Sequence, residues 1–261
     1  MRHYYSLLSK IYNDGDLVEA RGLKTKEILG AGLEVKDYNC FASPCHRPWE
    51  DVKKYLYAEL CWYLSGERSI EKILPYSKFW GQIRNPDNTA NSNYGDLVFY
   101  RKNEHGVTSF DWALRQLKDD KFTRKAIVLY NDRNFFFYEN KDLICNQFQH
   151  FMIRNDELIC FVSLRSSDAI YGLTYNIPWW SLVHQQMLHK LKDNYPSLKL
   201  GRIEAFIDSS HIYENKWELT RNILLDEKIK IWASFSEIPL AKTFEWYYEN
   251  LHNFVSFSEV N

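Results

Sequence analysis

Residues 145–176 read CNQFQHFMIRNDELICFVSLRSSDAIYGLTYN, and no other stretch limits the possible folds as tightly. Two runs with strand character, 147–153 and 158–164, flank the turn signal Arg154-Asn155-Asp156-Glu157, which predicts an antiparallel pair. Cys145 opens the first run, and Arg165-Ser166-Ser167-Asp168 follows the second at once. Neighbouring strand ends meet in such a pair. A thiol and a guanidinium therefore converge on one pocket, the thiolate to attack and the guanidinium to hold a phosphate. Taken alone, Cys145 is equally an ordinary buried thiol, as Cys160 in mid-strand is expected to be.

This segment resembles the thymidylate synthase family, which includes the pyrimidine-nucleotide hydroxymethylases. In that family a nucleophilic Cys is followed by Arg-Ser-x-Asp, then a Gly, then a base-reading Asn or Asp. Here those positions are Cys145, Arg165-Ser166-Ser167-Asp168, Gly172 and Asn176. The resemblance extends, more thinly, from about Leu23 to Trp217.

The chain has 261 residues, 45% hydrophobic and 16% aromatic, which fits one large domain over residues 1–261 with an aromatic-rich core. A net charge of about −1 without a long basic run disfavours nucleic-acid binding. Five cysteines (Cys40, Cys45, Cys61, Cys145, Cys160) in no C-x-x-C spacing predict neither a disulfide framework nor a metal site, and suit a reducing cytoplasm. The polar N-terminus does not read as a signal peptide, and no run reaches the roughly 20 apolar residues of a membrane span.

Several elements follow from periodicity. Residues 1–13 read as an amphipathic helix with Tyr5, Leu8, Ile11 and Tyr12 on one side. Residues 49–64 form the strongest helix pattern, carrying Glu59 in the apolar ELCWYLSG, where a carboxylate is costly unless partnered or protonated. A short helical piece is expected at 69–74, a helix at 108–118, a strand at 126–130, and a long buried helix at 177–191 with Pro178 in its first turn. Residues 202–207 read as a strand leading into Asp208-Ser209-Ser210-His211-Ile212-Tyr213. The final residues, 254–261, are polar.

The family resemblance assigns roles to these residues. It implies an α/β (α+β) fold with a mixed, largely antiparallel sheet flanked by helices, working as a homodimer. Cys145 would be the nucleophile, Glu59 a proton relay, Tyr94 a neighbour of the pyrimidine, and Asn176 the reader of the base. Arg165, Ser166 and Arg21 (or Lys24) would hold the phosphate. His211 and Tyr213 would hold the sugar. Arg124 and Lys125 would reach a partner's phosphate, although Lys lacks the bidentate fork of the family's usual second Arg. Trp80, Asp168 and Gly172 would seat the co-substrate, 5,10-methylenetetrahydrofolate. No metal is required.

The implied chemistry is C5 one-carbon transfer to a pyrimidine nucleoside monophosphate. A thiolate adduct at C6 makes C5 nucleophilic, and the Asn176 amide can accept from uracil N3–H while donating to O4. The Arg165 guanidinium and the polar end of the hairpin would lower the pKa of Cys145 and favour its thiolate. Three polar features direct the expectation to hydroxymethylation: Asn146 where the synthases carry His, Asn91-Ser92-Asn93 before Tyr94-Gly95, and the polar C-terminal end. Together they suggest a wetter site in which water, not hydride, captures the exocyclic carbon. Thymidylate formation is the alternative, and a non-catalytic nucleotide- or RNA-binding relative the alternative of another class.

Overall fold

A computed structural model describes residues 2–36, 43–45, 49–225 and 231–233. The polar C-terminal end and most of the Cys- and Pro-containing segment 39–48 lie outside the described residues. In chain order the elements are α1 (Arg2–Asp14), β1 (Asp16–Ala20), β2 (Leu23–Val35), β3 (Ser43–Cys45), α2 (Trp49–Ser65), α3 (Phe79–Ile83), α4 (Ser109–Asp119), β4 (Ile127–Leu129), β5 (Asn146–Arg154), β6 (Glu157–Leu164), β7 (Ser167–Asp168), α5 (Tyr171–Leu191), β8 (Lys199–Tyr213), α6 (Trp217–Leu225) and β9 (Ile231–Ala233).

The main sheet runs β1-β2-β8-β6-β5-β4, with β7 also paired to β8. Its pairs are antiparallel except β6–β8 and β7–β8, so the expected mixed, largely antiparallel sheet is present. β3 and β9 form a separate two-stranded piece. The expected hairpin is β5–β6, closed by Asn155 (φ 52°) and Asp156 (φ 56°), two residues that accept the left-handed region its short turn requires.

α5 is the central helix, and every residue from Ile177 to Met187 is buried. A helix apolar around its whole circumference belongs inside a fold. Its polar residues are served locally: Ser181 Oγ donates to the Ile177 carbonyl at 2.8 Å and Thr174 Oγ1 to that of Ile170 at 2.5 Å. α5 starts at Tyr171, six residues before the expected start, so Pro178 lies in its interior. The N–H that Pro178 lacks is tolerated in a helix whose first turns bury Leu173 and Thr174.

Other boundaries moved for similar reasons. β8 continues to Tyr213, placing His211 and Tyr213 inside a strand paired with β2. Residues 69–74 make successive turns, with Leu74 N–H bonded to the Ile70 carbonyl at 2.8 Å, because Pro75 cannot extend them. In α1 the buried face is Tyr4, Leu7, Leu8 and Ile11 rather than one including Tyr5 and Tyr12.

Gly95 is dictated by packing. A Cβ there would sit 1.5 Å from the Tyr63 carbonyl oxygen in α2, whereas one at Gly32 in β2 would meet nothing within 4 Å. Gly95→Ala is therefore expected to destabilise the protein by several kcal/mol, on the order of a severe overpacking mutation. Gly32→Ala should change the denaturant midpoint little. Equal midpoints for both variants would refute the close approach.

Candidate functional site

The ends of β5 and β6 do bring Cys145 and Arg165 together. The Arg165 backbone N–H donates to the Cys145 carbonyl at 3.0 Å. Its guanidinium turns back on the same loop, Nε donating to the Ile144 carbonyl (3.0 Å) and Nη2 to that of Leu143 (2.5 Å). Two of its five donors thus brace the loop that presents the thiol, and a phosphate would meet the others. Cys145 is partly exposed, unlike Cys61 and Cys160. Burial pushes its thiol above the ordinary value; Arg165 and Arg21 pull it down, and Asp142 pushes it up. The expectation that Arg165 and the polar end of the hairpin would lower the thiol's pKa needs this correction: in the free protein desolvation wins.

Arg21 and Gly22 (φ 56° and 73°) form the two-residue turn between β1 and β2, where left-handed backbone suits the hairpin twist. The Arg21 side chain reaches the site and hydrogen-bonds Tyr213, and its charge also acts on Cys145 and His211. His211 and Tyr213 alternate to the same face of β8, with rings 5.0 Å apart and edge-on. His211 lies opposite Asp168 across β7–β8. Burial holds His211 below its usual value and Tyr213 above.

Asp168 takes the backbone N–H of Ile170 at 2.9 Å, just ahead of α5. Burial pushes its carboxyl up to about 6, against the N–H groups of Ile170 and Tyr171 and the charge of Lys216. Ser166, half-buried, stands beside Arg165. A Cβ at Gly172 would be 3.0 Å from Ser167 Oγ and 4.0 Å from Asn176 Nδ2, so this residue keeps α5 close to the Arg-Ser-Ser-Asp turn.

Opposite stands α2 with Glu59, 5% exposed. Tyr55 and Tyr63, one turn to either side, both donate to its carboxylate, Tyr55 Oη at 2.8 Å from Oε1. The buried Trp80 donates from Nε1 to Tyr55 Oη at 3.0 Å. Burial pushes Glu59 up to about 7, against both tyrosine hydroxyls. Tyr94 is buried against Tyr63 (ring centroids 5.0 Å apart), within the fields of Cys145 and Glu59. Tyr55 also packs edge-on against Tyr175, the neighbour of Asn176, at 4.6 Å. Sequence reasoning missed Tyr55 and Tyr63, although their helical spacing from Glu59 was a usable signal.

Asn146 is fully buried: Oδ1 accepts Trp180 Nε1 at 3.0 Å, and Nδ2 has no partner among the described residues. Trp180 lies one helical turn beyond Asn176, so the two amides share one side of α5. Arg124 and Lys125 are exposed on the approach to β4, and none of the contacts above includes them. The polar Asn91, Ser92 and Asn93 do not present a wet surface. All are buried, with Asn91 bonded to Arg68, Asn85 and Asn140, Ser92 to Asp142, and Asn93 Nδ2 to the Trp62 and Glu67 carbonyls. That expectation is corrected: buried amides must be satisfied, and here they join loops.

A family model described as thymidylate synthase matches residues 2–251. The chain belongs to the thymidylate synthase family. Among its relatives, the deoxycytidylate 5-hydroxymethyltransferase of Enterobacteria phage T4 is 26% identical over 210 residues, covering 78% of this chain and 81% of that protein. The deoxyuridylate hydroxymethyltransferase of Bacillus phage SP01 is 26% identical over 258 residues, 93% of this chain and 64% of that protein. A thymidylate synthase of Francisella tularensis subsp. holarctica is 23% identical over 271 residues, 97% of this chain and 96% of that protein. This is a family of folate-dependent enzymes of one-carbon transfer to pyrimidine C5, and the expected enzyme class stands.

Glu59 generates a stability prediction. Its value of about 7 in the fold exceeds the ordinary 4.5. The buried charge therefore opposes folding as pH rises above 4.5, and in full above 7, by at most on the order of 3 kcal/mol. Glu59→Gln, which keeps an acceptor for Tyr55, should melt higher than the parent at pH 8, with the gap closing towards pH 4. A gap that does not change with pH would contradict a neutral-favouring pocket.

Proposed function

We propose that this chain hydroxymethylates C5 of a uridylate-type nucleotide, with 5,10-methylenetetrahydrofolate as the one-carbon co-substrate. The observation that carries the transfer is the convergence of Cys145 and Glu59 on Tyr94, with two guanidinium groups on the thiol side. Cys145 Sγ adds to C6 of the ring, and Arg21 and Arg165 stabilise the thiolate in a pocket that otherwise opposes it. Charge then moves to O4, where the Asn176 amide donates while its carbonyl accepts from N3–H. Glu59, close to half-protonated near neutral pH, passes a proton to O4 and takes one from C5 through water. Arg165, Ser166 and Arg21 hold the phosphate, and His211 and Tyr213 hold the sugar. Folate, seated by Trp80, Asp168 and Gly172, supplies the carbon.

Uridylate is preferred because an amide, not a carboxyl, stands at Asn176. Of the three polar features that favoured water over hydride, Asn91-Ser92-Asn93 is committed to the scaffold and the C-terminal end is not described. Asn146 remains: on the residue after the nucleophile, its Nδ2 is a donor without a partner among the described residues, and an ordered water would satisfy it. The T4 and SP01 relatives are hydroxymethyltransferases by name. The purified protein, given methylenetetrahydrofolate and each of UMP, dUMP, CMP and dCMP, should yield a 5-hydroxymethyl uridylate by mass spectrometry without dihydrofolate, and Cys145→Ala should yield nothing. Stoichiometric dihydrofolate with a methylated product would make the chain a thymidylate synthase.

The enzyme works as a homodimer in this proposal. Leu129, Phe148, Ser163, Phe206 and Gly32 are successive cross-strand partners over five strands, so they share one face. Leu129 is 57% exposed and Phe206 53%, an apolar row that a second copy would cover. Arg124 and Lys125 stand at the β4 end of that row, able to serve the partner's phosphate. Mixing Cys145→Ala chains with Arg124→Ala chains should restore part of the activity that each lacks, because one site of the heterodimer is intact. No recovery, with subunit exchange verified, would refute shared sites.

A further inference from the structure

Asp142 precedes Cys145 by three residues and is 5% exposed, and among the described residues none of its hydrogen bonds comes from a cation. Oδ2 accepts the backbone N–H groups of Asn91 (2.6 Å) and Ser92 (2.9 Å), and Oδ1 accepts Ser92 Oγ (2.7 Å). The stitching continues around it. Asn91 Nδ2 donates to the Asp142 carbonyl (3.3 Å) and to Asn140 Oδ1 (3.1 Å), which also accepts the Asp142 N–H (2.8 Å). Asn91 Oδ1 is itself anchored by Arg68 Nη2 (3.1 Å) and Asn85 Nδ2 (2.9 Å). One stitched loop ends at Cys145, and the other reaches Tyr94 two residues after Ser92.

We propose that Asp142 is a positioning residue of the transfer reaction: its carboxylate latches the loop presenting Tyr94 onto the loop presenting Cys145, so that both meet the pyrimidine as one unit. The latch rests on Cys145 being the nucleophile. A second observation goes with the geometry. Cys145 is faced by Arg165 from the end of β6, Arg21 from the β1–β2 turn, Tyr94, Tyr213 and Asp142, and Asp142 opposes the two arginines. Asp142 in turn is faced by Arg68, Tyr63 and Tyr94. Its charge therefore tempers the thiol that its hydrogen bonds place.

Three variants separate these effects. Asp142→Ala removes the latch, and a displaced nucleophile should reduce kcat roughly ten- to a hundredfold with a much smaller rise in KM for the nucleotide, because Arg21, His211 and Tyr213 stand on other elements and only Arg165 is bonded to the same loop. Asp142→Asn keeps the shape: its Oδ1 can accept both N–H groups while Nδ2 donates to Ser92 Oγ, so it should lose less turnover. Without the charge, the midpoint for iodoacetamide alkylation at Cys145, followed by peptide mapping against pH, should move to lower pH. Ser92→Ala, missing one of three bonds, should lower kcat by less than Asp142→Ala. Parental kcat per folded molecule in Asp142→Ala, or in Ser92→Ala should the former not fold, would overturn the proposal, as would an unmoved alkylation midpoint in Asp142→Asn. Turnover by Cys145→Ala would instead remove the nucleophile, whereas an inactive Cys145→Ala beside a fully active Asp142→Ala would remove only the latch.

Discussion

Cys145 and Arg165 are joined twice, once by the backbone bond that closes the β5–β6 pair and once by the guanidinium reaching back to the carbonyls of Leu143 and Ile144. The other groups of the site are arranged around that junction. β7 leaves it to pair with β8 and sets Asp168 opposite His211. Asp168 receives the backbone at the entry to α5, and Gly172, the second residue of that helix, lets it approach closely enough to bring Asn176 alongside. A local strand pairing thereby fixes the relative places of a thiol, a cation, a histidine and an amide that are up to 66 residues apart in sequence (Cys145 to His211).

Charge at the site is a contest between desolvation and a few partners. Burial raises the Cys145 thiol and the Glu59 and Asp168 carboxyls together, favouring their neutral forms before anything is bound. Arg21 and Arg165 work against that at the thiol, and Tyr55 and Tyr63 work against it at Glu59. Two tyrosines donating to one buried carboxylate also fix its orientation, a geometric requirement for proton transfer.

The polar residues that read as evidence for a wet pocket behave otherwise in the fold. Asn91, Ser92 and Asn93 satisfy buried backbone and side-chain groups between α2, the 85–91 loop and Asp142. A buried amide with no partner is expensive, so such residues are drawn into networks wherever chains cross. Asn146 differs, since its amide nitrogen Nδ2 lacks a partner among the described residues.

The sequence by itself determined the β5–β6 hairpin, the Glu59-bearing α2 and the motif that carries the family, because these depend on periods and turns of a few residues. Cys145 with Arg165-Ser166-Ser167-Asp168 was legible for the same reason: a hairpin makes its ends neighbours. Tertiary structure alone decided that α5 runs through Pro178, that β8 absorbs His211 and Tyr213, and that Asp142 clasps a loop 50 residues away in sequence. It also decided the state of the thiol, where burial overrides the adjacent arginine. Burial and long-range hydrogen bonds are properties of surroundings that a local pattern does not encode, and at these positions they outweighed it.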